Sequence, residues 1–206
     1  MVVGEINKKI LIIVTFMLLL LVAFSGCVTL SRAYIPDSII NNGWHENTAL
    51  RNTGSQFLGL EKWSSSTYEI NGKYPATLTV TTLKTLILPD EGELQNRITE
   101  TIEETFKNRI QLNESIVGER TIVKQHKTIY TLYNGTDKID GKKVKIIGEV
   151  WNCGSSGTSI ICIGFAYISD ADIENTENWE KIVMDPQATI ENIIGEEGLI
   201  YNIACH

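Results

Sequence analysis

Apolar positions change their spacing several times along the chain, and each change marks an element. Over residues 91–112, Leu94, Ile98, Ile102, Phe106 and Ile110 recur at every fourth position, which lays one stripe along a helix. Asp90 with Glu93 fits a capping pair in which each side chain meets a free backbone N–H. Glu100, Glu103, Glu104, Lys107 and Arg109 fill the remaining surface, so the spacing predicts a helix over 91–112.

Elsewhere the pattern has the period of a strand. Ser64–Ile70 and Ala76–Leu86, rich in Thr, Val and Tyr, read as two strands joined at Asn71-Gly72. Four more strands are predicted at Ile116–Gln125, Thr128–Tyr133, Lys142–Asn152 and Ser159–Ile168. Asn134-Gly135, Asp140-Gly141 and Gly154-Ser155-Ser156-Gly157 supply turn chemistry between them. In the third run Val144, Ile146, Gly148 and Val150 alternate against Lys143, Lys145, Ile147, Glu149 and Trp151. In the fourth, Ile161, Ile163, Phe165 and Tyr167 face away from Ile160, Cys162, Gly164 and Ala166. Both faces are apolar or small, as in a central strand covered on both sides. The second cover is predicted over Glu177–Ile194, striped by Trp179, Ile182, Val183, Ile190, Ile193 and Ile194. Asp185-Pro186 should kink or restart it, and Gly195 stops it. The fold class is therefore α+β, a mostly antiparallel sheet flanked by helices on both faces.

The front of the chain follows another logic. Lys8 and Lys9 precede an apolar run from Ile10 to Phe24, interrupted only by Thr15, and Ser25-Gly26-Cys27 follows. Charged, apolar and small residues in that order make an export signal. Cys27 directly after Ser-Gly resembles the lipobox of prokaryotic lipoproteins, although Phe24 stands where leucine is usual. The resemblance implies cleavage after Gly26, lipidation of Cys27, and a protein held at the extracytoplasmic face of the cell membrane. Ile10–Phe24 as a helix is shorter than the roughly 30 Å hydrocarbon core. Extension through Leu30 would make an uncleaved anchor, and plain secretion is the third alternative; all three place the remainder outside the cytoplasm.

The predicted organisation is a signal peptide over 1–26, a lipidated N-terminus and tether over 27–60, and one globular domain over 61–206. Asn41-Asn42-Gly43 and Asn52-Thr53-Gly54 make the tether irregular, and Trp44, Phe57, Leu58, Leu60 and Trp63 are expected to pin its later part. A mature chain of 180 residues is long enough to bury a core without a disulfide framework. It keeps 16 basic and 24 acidic side chains once Glu5, Lys8 and Lys9 are gone, a net charge of −8. That sign argues against nucleic acid and against a polybasic grip on lipid.

From Trp63 to about Ile194 the element order resembles the PsbP-like family. A Trp-led strand and a Thr-rich strand precede the striped helix. Ile116-Val117-Gly118-Glu119-Arg120-Thr121, a Tyr-rich strand and two long hairpin strands follow, and Asn178-Trp179 opens the last helix. The resemblance implies a non-enzymatic binding or assembly role on membrane complexes; no metal-binding residue of that family maps onto this chain.

Candidate chemistry is sparse. Cys153, Cys162 and Cys205 allow at most one bridge within the exported part. Cys153–Cys205 is the predicted disulfide, because Cys153 ends a strand where a returning C-terminal tail can reach it. Cys162 sits mid-strand as a small hydrophobe. With Ser155-Ser156 at the hairpin tip, Cys153 faces Thr158 and Glu149 faces Cys162. Cys205-His206 beside Cys153 is the one tempting metal cluster, but no CxxC, HExxH or paired-His spacing accompanies it, and no metal site is expected. Gly154–Gly157 lacks the GxSxG spacing of a nucleophile elbow and reads as a hairpin turn. His45, His126 and His206 are scattered, with His126 at a strand edge or turn as a solvated or hydrogen-bonding residue. Asp90, Glu91 and Glu93 read as helix capping, and Asp170, Asp172, Glu174 and Glu177 as a solvated loop. Asn113 and Asn134 open glycosylation triplets on predicted loops. Trp44, Trp63, Trp151 and Trp179 read as core or domain-edge residues, Trp151 sharing its face with Lys145 and Glu149. No catalytic residue and no cofactor motif emerges. The expected role is a binding or accessory module at the cell surface, attached to the membrane by lipid, with a membrane-protein partner. A surface hydrolase or thiol-redox protein built on the cysteines, and a structural envelope component, are the alternatives.

Overall fold

Strand periodicity builds a single antiparallel sheet of eight strands among the described residues, which in this computed structural model are 30–40, 43–72, 75–122, 125–168 and 198–205. The strands are β1 (His45–Glu46), β2 (Asn52–Gln56), β3 (Glu61–Ile70), β4 (Ala76–Lys84), β5 (Ile110–Ile122), β6 (His126–Asp137), β7 (Lys143–Cys153) and β8 (Thr158–Tyr167). Their order is β1-β3-β4-β8-β7-β6-β5, with β2 also on β3. The last strand thus closes in the middle, between β4 and β7, which is why both of its faces are apolar. The β7–β8 register sets Cys153 opposite Thr158 and Glu149 opposite Cys162, as the four-residue turn requires. Gly157, with φ near +60°, supplies the left-handed residue that closes the turn.

Helix α1 (Glu91–Phe106) covers one face. Asp90 caps it, its Oδ1 accepting the Glu93 N–H at 2.8 Å. Leu94, Ile98 and Ile102 bury against Val144, Ile146 and Val150 of β7. Gly148 allows the close approach, since a Cβ there would lie 2.8 Å from Ile102 Cδ1. Phe106 stacks on Phe165 with ring centroids 5.5 Å apart. The helix ends at Phe106, six residues before the predicted boundary. Ile110 still enters the same core, but as the first residue of β5, opposite Asp137. A side chain that is buried in either state gives the periodicity nothing with which to discriminate, and the ladder with β6 decides.

Asn134-Gly135 is likewise no turn but lies within β6. Gly135 passes so close to Ile110 that a Cβ would stand 2.6 Å from Ile110 Cγ2. Pairing with β5, across an irregularity between Leu112 and Ser115, overrides the local turn preference.

The other face is covered without a helix among the described residues, which corrects the prediction of helices on both faces. Ala33 and Ile35 from one end of the chain, and Leu199, Ile200 and Ile203 from the other, bury against it. The two segments hold each other through Tyr34 and Ala204, whose N–H and C=O groups exchange bonds of 3.0 and 2.9 Å. The predicted cover over Glu177–Ile194 lies outside the described residues. The compact unit that holds the sheet begins at Ser31. Trp44 is buried as expected, whereas Phe57 and Leu60 are exposed. Trp63, also expected to pin this segment, has its indole against Gly54, where a Cβ would lie 2.3 Å from it.

A buried carboxylate ties the sheet's lower corner. Asp137 Oδ2 accepts from Tyr167 Oη at 2.7 Å and from Arg109 Nε at 2.9 Å, and its Oδ1 from the Ile139 N–H at 2.9 Å.

Two outcomes follow from this packing. Ile102→Ala should cost about 2–5 kcal/mol in urea denaturation, as deletion of a fully buried aliphatic side chain does; a loss under about 1 kcal/mol would mean that α1 is not seated. The Tyr167 hydroxyl, then the Ile139 N–H, hold the Asp137 carboxyl down to about 2. Its stabilising contribution is full above the ordinary carboxylate range near pH 4 and disappears as pH falls through about 2. Asp137→Asn should therefore flatten the acid limb of the stability profile between about pH 4 and 2, and an unchanged limb would disprove the role.

Candidate functional site

Alternation along β7 turns Lys145, Ile147, Glu149, Trp151 and Cys153 to the face away from α1, and all five are buried. Charge on an apolar face must be paired. Glu149 is paired by reaching across β6 to β5. Its Oε1 accepts from Arg120 Nε at 2.8 Å and from Thr128 Oγ1 at 2.6 Å, and its Oε2 from Arg120 Nη2 at 2.6 Å. This is a two-pronged guanidinium–carboxylate pair with side chains only 8% and 0% exposed. Gly118 leaves room beside it for Tyr130, whose hydroxyl would lie 2.4 Å from a Cβ at that position. Cys162 stands opposite Glu149 in the β7–β8 ladder. Burial pushes its thiol well above the usual range and the Glu149 charge adds to the effect. The surroundings of Cys162 thus favour the thiol over the thiolate. The Trp151 indole N–H is fully buried and has no hydrogen-bond partner among the described residues.

At the upper end of the same face three donors converge. Cys153 closes β7 and His126 opens β6. The β6–β7 register, with Ile129 opposite Val150, puts His126 beside Cys153 when continued three residues. Cys205 arrives on the C-terminal segment, one residue after the Tyr34–Ala204 bridge. The imidazole nitrogen and the two sulfurs all lie within 4.8 Å of one another. His126 Nε2 is 3.4 Å from Cys205 Sγ, and the Cys153 thiol points to the Cys205 carbonyl at 3.8 Å. Ser155 Oγ is 3.5 Å from Cys153 Sγ. Cys153 and Cys205 are buried and His126 is half-buried.

Sequence reasoning paired Cys153 with Cys205, and the fold brings them together as thiols, with no disulfide among the described residues. It did not assign His126 to this place. The signal was present in the strand register, which needs the correct ends of β6 and β7 before it can be read. His206, the histidine considered at first, lies outside the described residues, as do Cys27, Trp179 and the acidic run Asp170–Glu177.

The remaining candidates take structural places. Ser155 and Ser156 form the hairpin turn, held by Lys84 Nζ on the Ser156 carbonyl at 2.8 Å. Asn113 is exposed at the irregularity of β5, whereas Asn134 is half-buried within β6 rather than on a loop. His45 is exposed, 3.3 Å from Glu69. A cavity of about 290 Å³ beside Tyr68 is lined by Arg32, Glu46 and Arg51. Both arginines are held by Glu46: Arg51 binds both carboxylate oxygens, at 2.8 and 2.6 Å, and Arg32 adds a further bond. The Arg51 bonds chiefly hold the Glu46 carboxyl at about 2.

No family model, curated protein or solved structure matches the chain.

Arg120→Ala leaves the Glu149 carboxylate buried without its cation, and should cost about 3–5 kcal/mol in denaturant unfolding. Replacing both partners with leucine should recover most of that loss, because neither charge then has to leave water. A single-variant loss below about 1 kcal/mol would show the pair to be solvated.

Proposed function

We propose that this protein is a lipid-anchored accessory module on the extracytoplasmic face of the cell membrane, one that binds a membrane-protein partner. The observation that carries the reading is how soon the fold begins after Cys27. The compact unit starts at Ser31, so only Val28, Thr29 and Leu30 lie between it and the cysteine of the lipobox-like segment. Four residues of extended chain reach about 14 Å at most. A lipid on Cys27 would therefore hold the domain close against the bilayer, within reach of membrane proteins.

Other features favour the same reading. A mature charge of −8 gives no electrostatic hold on anionic lipid, which leaves attachment to the acyl chains. Trp-led strand, Thr-rich strand, helix and four further strands make up the part of the PsbP-like order that falls within the described residues, and that resemblance implies an accessory role on membrane complexes. Among the described residues the buried carboxylates Glu149 and Asp137 are locked in ion pairs that stiffen the sheet.

Mass spectrometry of protein extracted from native membranes should find Cys27 as the first residue, bearing two or more acyl chains, since one chain attaches only marginally. Cys27→Ser should leave the signal uncleaved or shift the chain out of the lipid-anchored fraction. Native electrophoresis of mild-detergent extracts should show it in a larger complex. An intact Met1 with unchanged fractionation would overturn the anchor, and migration as a lone polypeptide would overturn the accessory role.

A further inference from the structure

We infer that His126, Cys153 and Cys205 form a binding site for a thiophilic d10 cation of the zinc(II) class. The donor set is the first reason. Two sulfurs and one imidazole nitrogen are soft ligands that zinc prefers over the oxygen ligands of calcium or magnesium. Geometry is the second. Bonds of about 2.3 Å to sulfur and 2.0–2.1 Å to nitrogen at tetrahedral angles place donor atoms roughly 3.6–3.8 Å apart. The His126 Nε2–Cys205 Sγ distance is 3.4 Å, and all three donors lie within 4.8 Å, so closure around an ion needs side-chain adjustments of about 1 Å or less.

Placement is the third reason. The donors come from the start of β6, the end of β7 and the C-terminal segment, and all are fixed by elements that pack independently of the cluster. His126 and Cys153 are adjacent through strand register. Cys205 is delivered by the Tyr34–Ala204 bridge and by Leu199, Ile200 and Ile203 in the core. Binding would replace each thiol proton by a metal–sulfur bond, release two protons to solvent, and use the lone pair of His126 Nε2. A fourth coordination place is left for water, with half-buried His126 as the donor nearest solvent. The ion would clip the C-terminal segment to the sheet. Because zinc has no redox chemistry, it would also keep the two sulfurs from oxidising to a bridge outside the cytoplasm.

The full chain, purified in detergent under reducing conditions and stripped of metal, should bind one equivalent of cobalt(II), with the near-ultraviolet charge-transfer bands of thiolate ligation. Zinc(II) should displace the cobalt and raise the melting temperature. Cys153→Ser, Cys205→Ser and His126→Ala should each weaken zinc binding more than about tenfold, while Cys162→Ser leaves it unchanged. X-ray absorption of the zinc-loaded wild type needs no variant to fold. It should report two sulfurs near 2.3 Å and at least one nitrogen near 2.0–2.1 Å. An all-oxygen-and-nitrogen shell, loss of binding on Cys162→Ser, or no binding by the reduced wild type would overturn the site. So would a Cys153–Cys205 disulfide in protein taken from native membranes with its thiols blocked.

Discussion

A strand that is apolar on both faces cannot lie at the margin of a sheet, and β8 is such a strand. Ile161, Ile163 and Phe165 look toward α1, while Ile160, Cys162 and Ala166 look the other way. Its position between β4 and β7 commits the sheet to being covered twice. Burying that surface is the main favourable term available to a chain of this size. Every other choice in the architecture is a way of supplying the two covers.

The two covers are made differently. Helix α1 is local: it follows β4, is capped by Asp90, and meets the sheet where Gly148 opens a depression. The second cover brings together residues from both ends of the described chain, the segments around Ala33 and Leu199, bridged by Tyr34 and Ala204. A cover of that kind closes a very long loop, and its formation has to be rewarded by contacts made late. The cluster of His126, Cys153 and Cys205 lies where this second cover meets the sheet. A clip there would strengthen the cover at its least local point.

Charge on the same face narrows the possible packings. Glu149 needs Arg120 two strands away, and the pair is satisfied only if β5, β6 and β7 keep one register. A slip of one residue would turn Glu149 toward α1, into the apolar core built on Leu94, Ile98 and Ile102. The ion pair therefore acts as a register lock as much as a source of stability. Asp137, Arg109 and Tyr167 do the same at the opposite corner, where β6 and β8 are joined through a hydroxyl and a guanidinium.

By itself the sequence determined the strand identities of β3, β4, β7 and β8, the two-faced character of β8, the register of the β7–β8 hairpin, and the Asp90 cap. Each of these rests on alternation or spacing within some twenty residues, where side-chain period and turn chemistry act directly. The C-terminal limit of α1, the passage of β6 through Asn134-Gly135 and the cover of the second face were decided by tertiary structure. Ile110 is buried in a helix or in a strand alike, and Gly135 satisfies a turn or a close approach alike, so local preference leaves both open until β5 pairs with β6. That Cys153 and Cys205 come near each other, as thiols rather than in the expected disulfide, was legible because a strand end and a tail are features of the chain. His126 was not, because its neighbour is set by the β6–β7 register, and register over a distance is fixed by what a whole face must bury rather than by any one residue.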